Sequence, residues 1–275
     1  NKTVLNGEGE FSADNYGGRN IHFGVREQAM AAVGNGLMLY GGLKAYVATF
    51  FVFSDYVKPM ARLSSLMKLP LIYVFTHDSI GVGEDGPTHE PVEQLTMLRA
   101  MPNMYVFRPC DEFETKAGWY VAMSSKETPT SLILSRQDLS KMVGSNKGAL
   151  RGGYIIDDCM SKPDIIIIAS GSEVDLAVKA KEQLKDPDLN IRIVSMPCQE
   201  LFREQSEEYK ESILPSCVEN RIIVEAGSRL SWGEFAGFKG KYVTMDTFGA
   251  SGKPADLFKE FHLTVEDVIK AIKEF

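Results

Sequence analysis

The densest concentration of reactive side chains is the run Thr76-His77-Asp78-Ser79-Ile80-Gly81-Val82-Gly83-Glu84-Asp85-Gly86-Pro87-Thr88-His89-Glu90-Pro91, which holds two of the chain's four histidines. Histidine and carboxylate groups suit hydroxyls and phosphates, while the three glycines allow close backbone approach. Two readings stay open on these grounds, a polar-ligand site and a hydrogen-bonded structural loop. An EF-hand is excluded, because the acids it needs at alternate positions ahead of a glycine are missing. Elsewhere, Glu27 is either a chemical carboxyl or a first-turn acid suited to a helix dipole. Phe50, Phe53 and Tyr56 are spaced as one turn into a helix, which fits a stacking wall or plain core. Arg136 is a forked anion contact or a surface ion pair. His22 and His262 carry no site role.

Two glycine-rich segments invite further readings. Gly249-Ala250-Ser251-Gly252-Lys253 fails as a P-loop, because Thr247 and Pro254 stand where Gly and Ser/Thr are required. It also fails as a nucleophile elbow, its second glycine coming one residue early, so it reads as a turn. Ser170-Gly171-Ser172 follows a strand and opens a helix, so it is a helix cap or an anion cradle.

The scaffold that must position these residues is legible in the hydrophobic rhythm. After a polar, Gly-rich loop over residues 1–20, a helix is expected over 24–40, small or apolar after Gln28 and therefore buried on most faces. Strands are expected over 44–51, 71–76, 104–108 and 130–135, with helices over 55–67, 92–99 and 111–123. Asp111 and Glu114 stand at capping-box spacing, as do Ser172 and Asp175. Alternation breaks at a Gly-rich stretch and resumes with strands over 164–169, 191–195, 221–225 and 242–246 and helices over 172–184, 204–213 and 264–275. The pattern implies an α/β chain of two doubly wound, mainly parallel-sheet domains, residues 1–140 and 154–275, joined by a linker over 141–153. The His77–His89 run directly follows a buried strand, where such folds place their ligands.

Bulk properties narrow the function classes. A net charge of −7 and a pI near 5.3 give no footprint for nucleic acid or an anionic membrane. No apolar run approaches the roughly 20 residues of a membrane span. Cys110, Cys159, Cys198 and Cys217 lack metal-ligand spacing and read as reduced thiols of a cytoplasmic protein. The sequence starts without Met, which suggests a fragment.

The run from Thr76 to Pro91 resembles the signature of the transketolases almost letter for letter. Gly24-Val25-Arg26-Glu27, Thr49-Phe50-Phe51-Val52-Phe53-Ser54-Asp55-Tyr56, Ser135-Arg136-Gln137-Asp138-Leu139 and Gly249-Ala250-Ser251-Gly252 match further family motifs in order, so the resemblance spans essentially the whole chain. It implies a truncated pyrimidine-binding domain followed by the family's C-terminal domain. The parent activity is then thiamine diphosphate-dependent, reversible transfer of a two-carbon ketol unit between ketose and aldose phosphates, in the pentose phosphate pathway.

Carried onto these positions, the resemblance makes Glu27 the partner of the aminopyrimidine N1′, favouring the imino tautomer whose 4′-nitrogen takes the thiazolium C2 proton. Such a carboxyl is expected to be buried. Phe50, Phe53 and Tyr56 become the wall on which the pyrimidine stacks, and Phe51 a core residue. His77 and Arg136 would bind the sugar phosphate, Asp85 a substrate hydroxyl, and His89 would sit near the reacting carbons, making Glu27 and His89 the catalytic candidates. Gln28 stands where family members often carry His or an apolar residue, with little expected consequence.

In the family, the diphosphate and its Mg2+ or Ca2+ belong to a separate N-terminal domain with a G-D-G…N-type motif, and no such motif occurs here. A family member would continue upstream of Asn1. The expected partners are sugar phosphates, that N-terminal domain, and a second copy in a homodimer with shared sites. The chain alone is expected to be inactive. The alternatives are a dihydroxyacetone synthase-like transferase and a non-catalytic C-terminal subunit that needs a partner chain.

Overall fold

The computed structural model describes residues 3–184 and 186–275, so the first two residues of the expected N-terminal loop lie outside it. The first half runs α1 (Glu27–Tyr40), β1 (Tyr46–Phe50), α2 (Ser54–Leu66), β2 (Ile72–Thr76), α3 (Gln94–Arg99), β3 (Tyr105–Phe107), α4 (Glu112–Ser124) and β4 (Thr130–Leu134). The second runs β5 (Tyr154–Asp157), β6 (Ile165–Ala169), α5 (Glu173–Leu184), β7 (Ile191–Ser195), α6 (Gln199–Arg203), α7 (Glu207–Ile213), β8 (Arg221–Glu225), α8 (Gly233–Ala236), β9 (Lys241–Thr244), α9 (Pro254–Glu260) and α10 (Val265–Lys273).

Each half builds one sheet. The first has the order β1-β2-β4-β3 with every pair parallel; the second has the order β5-β7-β6-β8-β9, parallel except for β5. Continuous apolar runs are what a sheet covered on both faces requires. In β2, Ile72 and Val74 face one core and Tyr73 and Phe75 another. In β6, Ile165, Ile167 and Ala169 face that first core while Ile166 and Ile168 face a third. The first core therefore crosses the linker and is shared by both halves.

Five expectations need correction. The short antiparallel strand β5 opens the second domain where no strand was expected, with three of its residues paired to β7 across a register shift. The expected helix over 204–213 starts later, at Glu207, where Ser206 accepts from the Tyr209 amide, and a separate short helix, α6, precedes it. Asp111 does cap α4 by accepting from the Glu114 amide, but the Glu114 carboxylate does not return the bond: it is buried between the Cys110 amide and the hydroxyls of Tyr154 and Ser195. The Ser172 hydroxyl likewise goes to Glu173 rather than into a capping box.

The fifth concerns α1, which is buried along only one stripe: Ala31, Gly34 and Asn35. Its apolar outer face is open, with Leu39 57% and Tyr40 90% exposed, because none of the described residues packs there. The inner face is fixed by a polar relay in which Asn35 Nδ2 donates to the Met60 carbonyl (2.9 Å) and Ser64 Oγ to Asn35 Oδ1 (2.5 Å). Gly34 lets the helix touch the sheet; a Cβ there would lie 2.9 Å from Val47 Cγ1 and 3.0 Å from a Leu71 methyl. Gly34→Val should therefore lift the helix that carries Glu27 and cost about 1–3 kcal/mol. Urea unfolding measures it, and an unchanged midpoint would mean that the contact yields freely.

Candidate active site

Strand register brings the candidates together. Phe50 pairs with Thr76 and Thr76 with Leu134, so the carboxyl ends of β1, β2 and β4 form one edge of the sheet. The chain leaving β1 carries Phe53 and Tyr56, that leaving β2 carries His77, and that leaving β4 carries Arg136. This is the edge at which open α/β sheets bind ligands.

The aromatic residues form a flight of steps. Phe50 and Phe53 lie 6.3 Å apart at 10°, and Phe53 and Tyr56 6.0 Å apart at 28°. Phe51, between them, is fully buried and belongs to the core as expected. The His77 imidazole stacks on Phe50 at 3.7 Å and 19°, and His89 meets the Phe53 ring edge-on at 5.5 Å. The wall is thus continuous with both histidines of the signature, and one face of Phe50 is already covered by His77.

His77 adopts a left-handed backbone (φ 65°), which is strained for a residue with a side chain. Burial, and next the nearby Arg136 charge, hold its imidazole below the usual histidine value, against the opposing pull of Asp85 and Asp78. Arg136 and Asp85 therefore converge on His77. Arg136 is exposed and pairs with no carboxylate among the described residues, so its ion-pair reading fails.

Glu27 opens α1 and shares a pocket of about 640 Å³ with Tyr56, Met60, Ala32 and the 25–29 backbone. It is half-buried, not buried as expected, because none of the described residues covers the outer face of α1. His22 and His262 lie at the surface beside Glu10 and Asp267, away from these groups.

The second domain closes the back of the loop. Ser251 Oγ donates to the Glu84 carbonyl (2.6 Å), and Pro254 and the Gly252 carbonyl lie against Gly83. The turn over 249–252 is thereby a clasp for the signature loop. Beneath it Glu90, only 2% exposed, has neither carboxylate oxygen in good hydrogen-bond geometry. Burial raises its pKa to about 7, against the weaker pull of the Ala250 and Gly83 amides. A raised value means that Glu90 contributes full stability below about 4.5, lost as pH climbs through about 7. Glu90→Gln should remove that loss, so the variant gains on the parent chain in melting temperature from pH 5 to pH 8. An equal difference at both pH values would rule this out.

Sequence reading missed the interdomain charges. The Ser170-Gly171 segment is neither a bare cap nor an anion cradle: the Arg108 guanidinium lies against Gly171, pairing with Asp78 and Glu173 and donating to the Ser170 carbonyl (2.8 Å). No cation neighbours that segment in sequence, so only the arginine at the end of β3 hinted at it.

Two consecutive α/β domains thus place a stepped aromatic wall and both histidines of the Thr76–Pro91 run at one edge of the first sheet. The family model for the transketolase pyrimidine-binding domain matches residues 1–141, and that for the transketolase-like C-terminal domain matches residues 152–264. The chain belongs to the transketolase family. It is 51% identical to the transketolase of Halalkalibacterium halodurans and 46% identical to that of Bacillus subtilis, over 99% of its length. It spans only 42% of either relative.

Among solved structures it superposes on the Leishmania mexicana transketolase with a TM-score of 0.92, at 45% identity, over 96% of this chain and 39% of that one. For the Pichia stipitis enzyme in complex with sedoheptulose-7-phosphate the TM-score is 0.94, at 42% identity, over 99% and 41%. A chain described as a split gene transketolase, an inactive β4 tetramer, shares the fold with a TM-score of 0.75 at 22% identity, over 92% of this chain and 83% of that one. Among the described residues no helix is long and apolar enough to cross a membrane, and no cluster of three or more metal-ligating side chains occurs.

Proposed function

We propose that this chain is the pyrimidine-side half of a thiamine diphosphate-dependent transketolase that moves a two-carbon ketol unit between sugar phosphates. The observation that carries this reading is the convergence of the Phe50–Phe53–Tyr56 steps, His77 and His89 on one sheet edge, with Glu27 and Tyr56 lining a common pocket.

These groups fit an aminopyrimidine, having flat apolar faces with a carboxyl at the rim. When bound, the cofactor supplies the nucleophilic carbon and the electron sink for carbon–carbon bond exchange. Glu27 holds a proton at N1′ of the ring, and the aromatic steps set the plane of the ring by offset stacking, worth about 0.5–1.5 kcal/mol per pair. Arg136 and His77 take the phosphate of the sugar, Arg136 by a forked charge-assisted contact. Asp85 accepts from a sugar hydroxyl, and His89 moves protons at the substrate oxygens. The diphosphate and its Mg2+ or Ca2+ are held by the N-terminal domain that the longer relatives contain. A homodimer covers the open face of α1 and completes the burial of Glu27.

The isolated chain is then inactive. Ketol transfer from a ketose phosphate to an aldose phosphate should be undetectable with thiamine diphosphate and magnesium, and should appear when a diphosphate-binding domain is supplied. Turnover by the chain alone refutes the half-site reading. Formaldehyde accepted in place of the aldose would instead point to dihydroxyacetone synthase chemistry. A non-catalytic interaction module would instead leave ketol transfer undetectable even when the diphosphate-binding domain is supplied.

A further inference from the structure

The strained histidine and the buried arginine are neighbours through a single residue. His77 sits in the left-handed region at the exit of β2, and Asp78 follows it, 2% exposed. Arg108, fully buried, donates from Nε to Asp78 Oδ2 at 2.9 Å and brings its second terminal nitrogen within 2.7 Å of the same oxygen. The opposite edge of the guanidinium is held entirely by the C-terminal domain, through the Ser170 carbonyl and the Glu173 carboxylate. Glu173 is fixed in turn by the Ala226 amide (2.9 Å). The backbone is pinned too, with the Arg108 amide donating to the Pro197 carbonyl (2.8 Å) and the Gly171 amide to the Arg108 carbonyl (3.2 Å).

We propose that Arg108 is a positioning residue by which the C-terminal domain holds His77 in its strained conformation, stacked on Phe50. A left-handed histidine is strained and persists only where its surroundings over-determine it. Upstream, His77 is tied to the central strand. Downstream, its first restraint is the Asp78 carboxylate, and a carboxylate buried in a low-dielectric interior stays where its counter-charge is. The C-terminal domain thereby reaches the sugar-binding edge without contributing a side chain to it. The importance of this clamp for catalysis rests on the role proposed for His77, whereas the clamp itself is a property of the folded chain.

The test reads the imidazole directly by proton–nitrogen NMR titration of the full chain, which has four histidines to assign. Two variants are used. Arg108→Lys keeps the charge but cannot span Asp78, Ser170 and Glu173 at once. Gly171→Ala leaves every charge in place and pushes the guanidinium aside, since its Cβ would lie 2.5 Å from Arg108 Cζ. In a folded variant, the His77 imidazole is expected to lose its ring-current shift from Phe50. Its pKa should rise from its depressed value towards the ordinary ~6.5, because it leaves the buried stack and moves away from Arg136 while Asp85 and Asp78 remain close. His22 and His262 serve as internal controls and stay unchanged.

If a folded variant leaves the His77 shift and titration as in the parent chain, the proposal is wrong. Should neither variant fold, hydrogen exchange in the parent chain decides. The amides of Val82 and Gly83 should open together with those of Arg108 and Gly171, within about tenfold in rate, and much faster exchange of the loop overturns the clamp.

Discussion

Arg99→Met is expected to destabilise the chain by about 3–5 kcal/mol, the usual cost of removing one partner from a buried ion pair. Arg99 and Glu225 form a two-pronged bond, 2.7 Å at each contact, with their side chains 2% and 0% exposed. Trp232 Nε1 also donates to Glu225 (2.7 Å), as does Ser170 Oγ, so the carboxylate has a full set of donors. Burial alone would raise the Glu225 pKa, but the charge and hydrogen bonds of Arg99, followed by the charge of Arg108, outweigh it and hold the value at about 2. A depressed folded value stabilises the chain above its unfolded pKa near 4.5, and that contribution fades as pH falls towards 2.

Without Arg99 the balance reverses and burial favours the protonated acid. The deficit of the variant should then be largest at pH 8 and shrink towards pH 5. Urea midpoints at three pH values measure this, and Arg99→Met combined with Glu225→Gln should recover part of the loss. A loss below about 1 kcal/mol that is flat with pH would show that the pair contributes little beyond its own desolvation cost. Because Arg99 belongs to the first sheet domain and Glu225 to the second, the same measurement reports how firmly the halves are joined.

What could be read from sequence follows from the range of each interaction. The strands at β2 and β6 announce themselves as unbroken apolar runs, since burial on both faces leaves no room for polar alternation. The helix start at Ser206 and the strand β5 are set by one cap and three paired residues, too little pattern for periodicity to register. At the site, residues near one another in sequence were legible: the aromatic steps and the two histidines lie in two short segments. The clasp from Ser251 to Glu84 and the Arg108 clamp join residues 167 and 65 positions apart, and no local pattern encodes them. Glu27 shows the opposite failure. Its helix reads as buried because its composition is apolar, yet none of the described residues packs on its outer face. Composition reports how much burial a segment needs, and not which molecule provides it.

That distinction gives the Glu27→Gln variant its interest. Glutamine preserves shape and can still donate to a ring nitrogen, but it cannot hold or release the proton that tautomer control requires. In the chain reconstituted with a diphosphate-binding domain, kcat and kcat/KM for ketol transfer should fall together by about 10²–10⁴, the usual contribution of a positioned acid–base group. Stability should hardly move, since Glu27 is a half-buried residue at a helix start, where a carboxylate is worth about 0.3–1 kcal/mol. The two readings of this glutamate therefore predict opposite signatures. A helix-dipole acid changes the melting temperature slightly and leaves turnover alone, whereas a ring partner abolishes turnover in a chain that melts almost as before. Parallel measurement of both quantities decides between them, and a fall in kcat of less than tenfold would remove Glu27 from the chemistry.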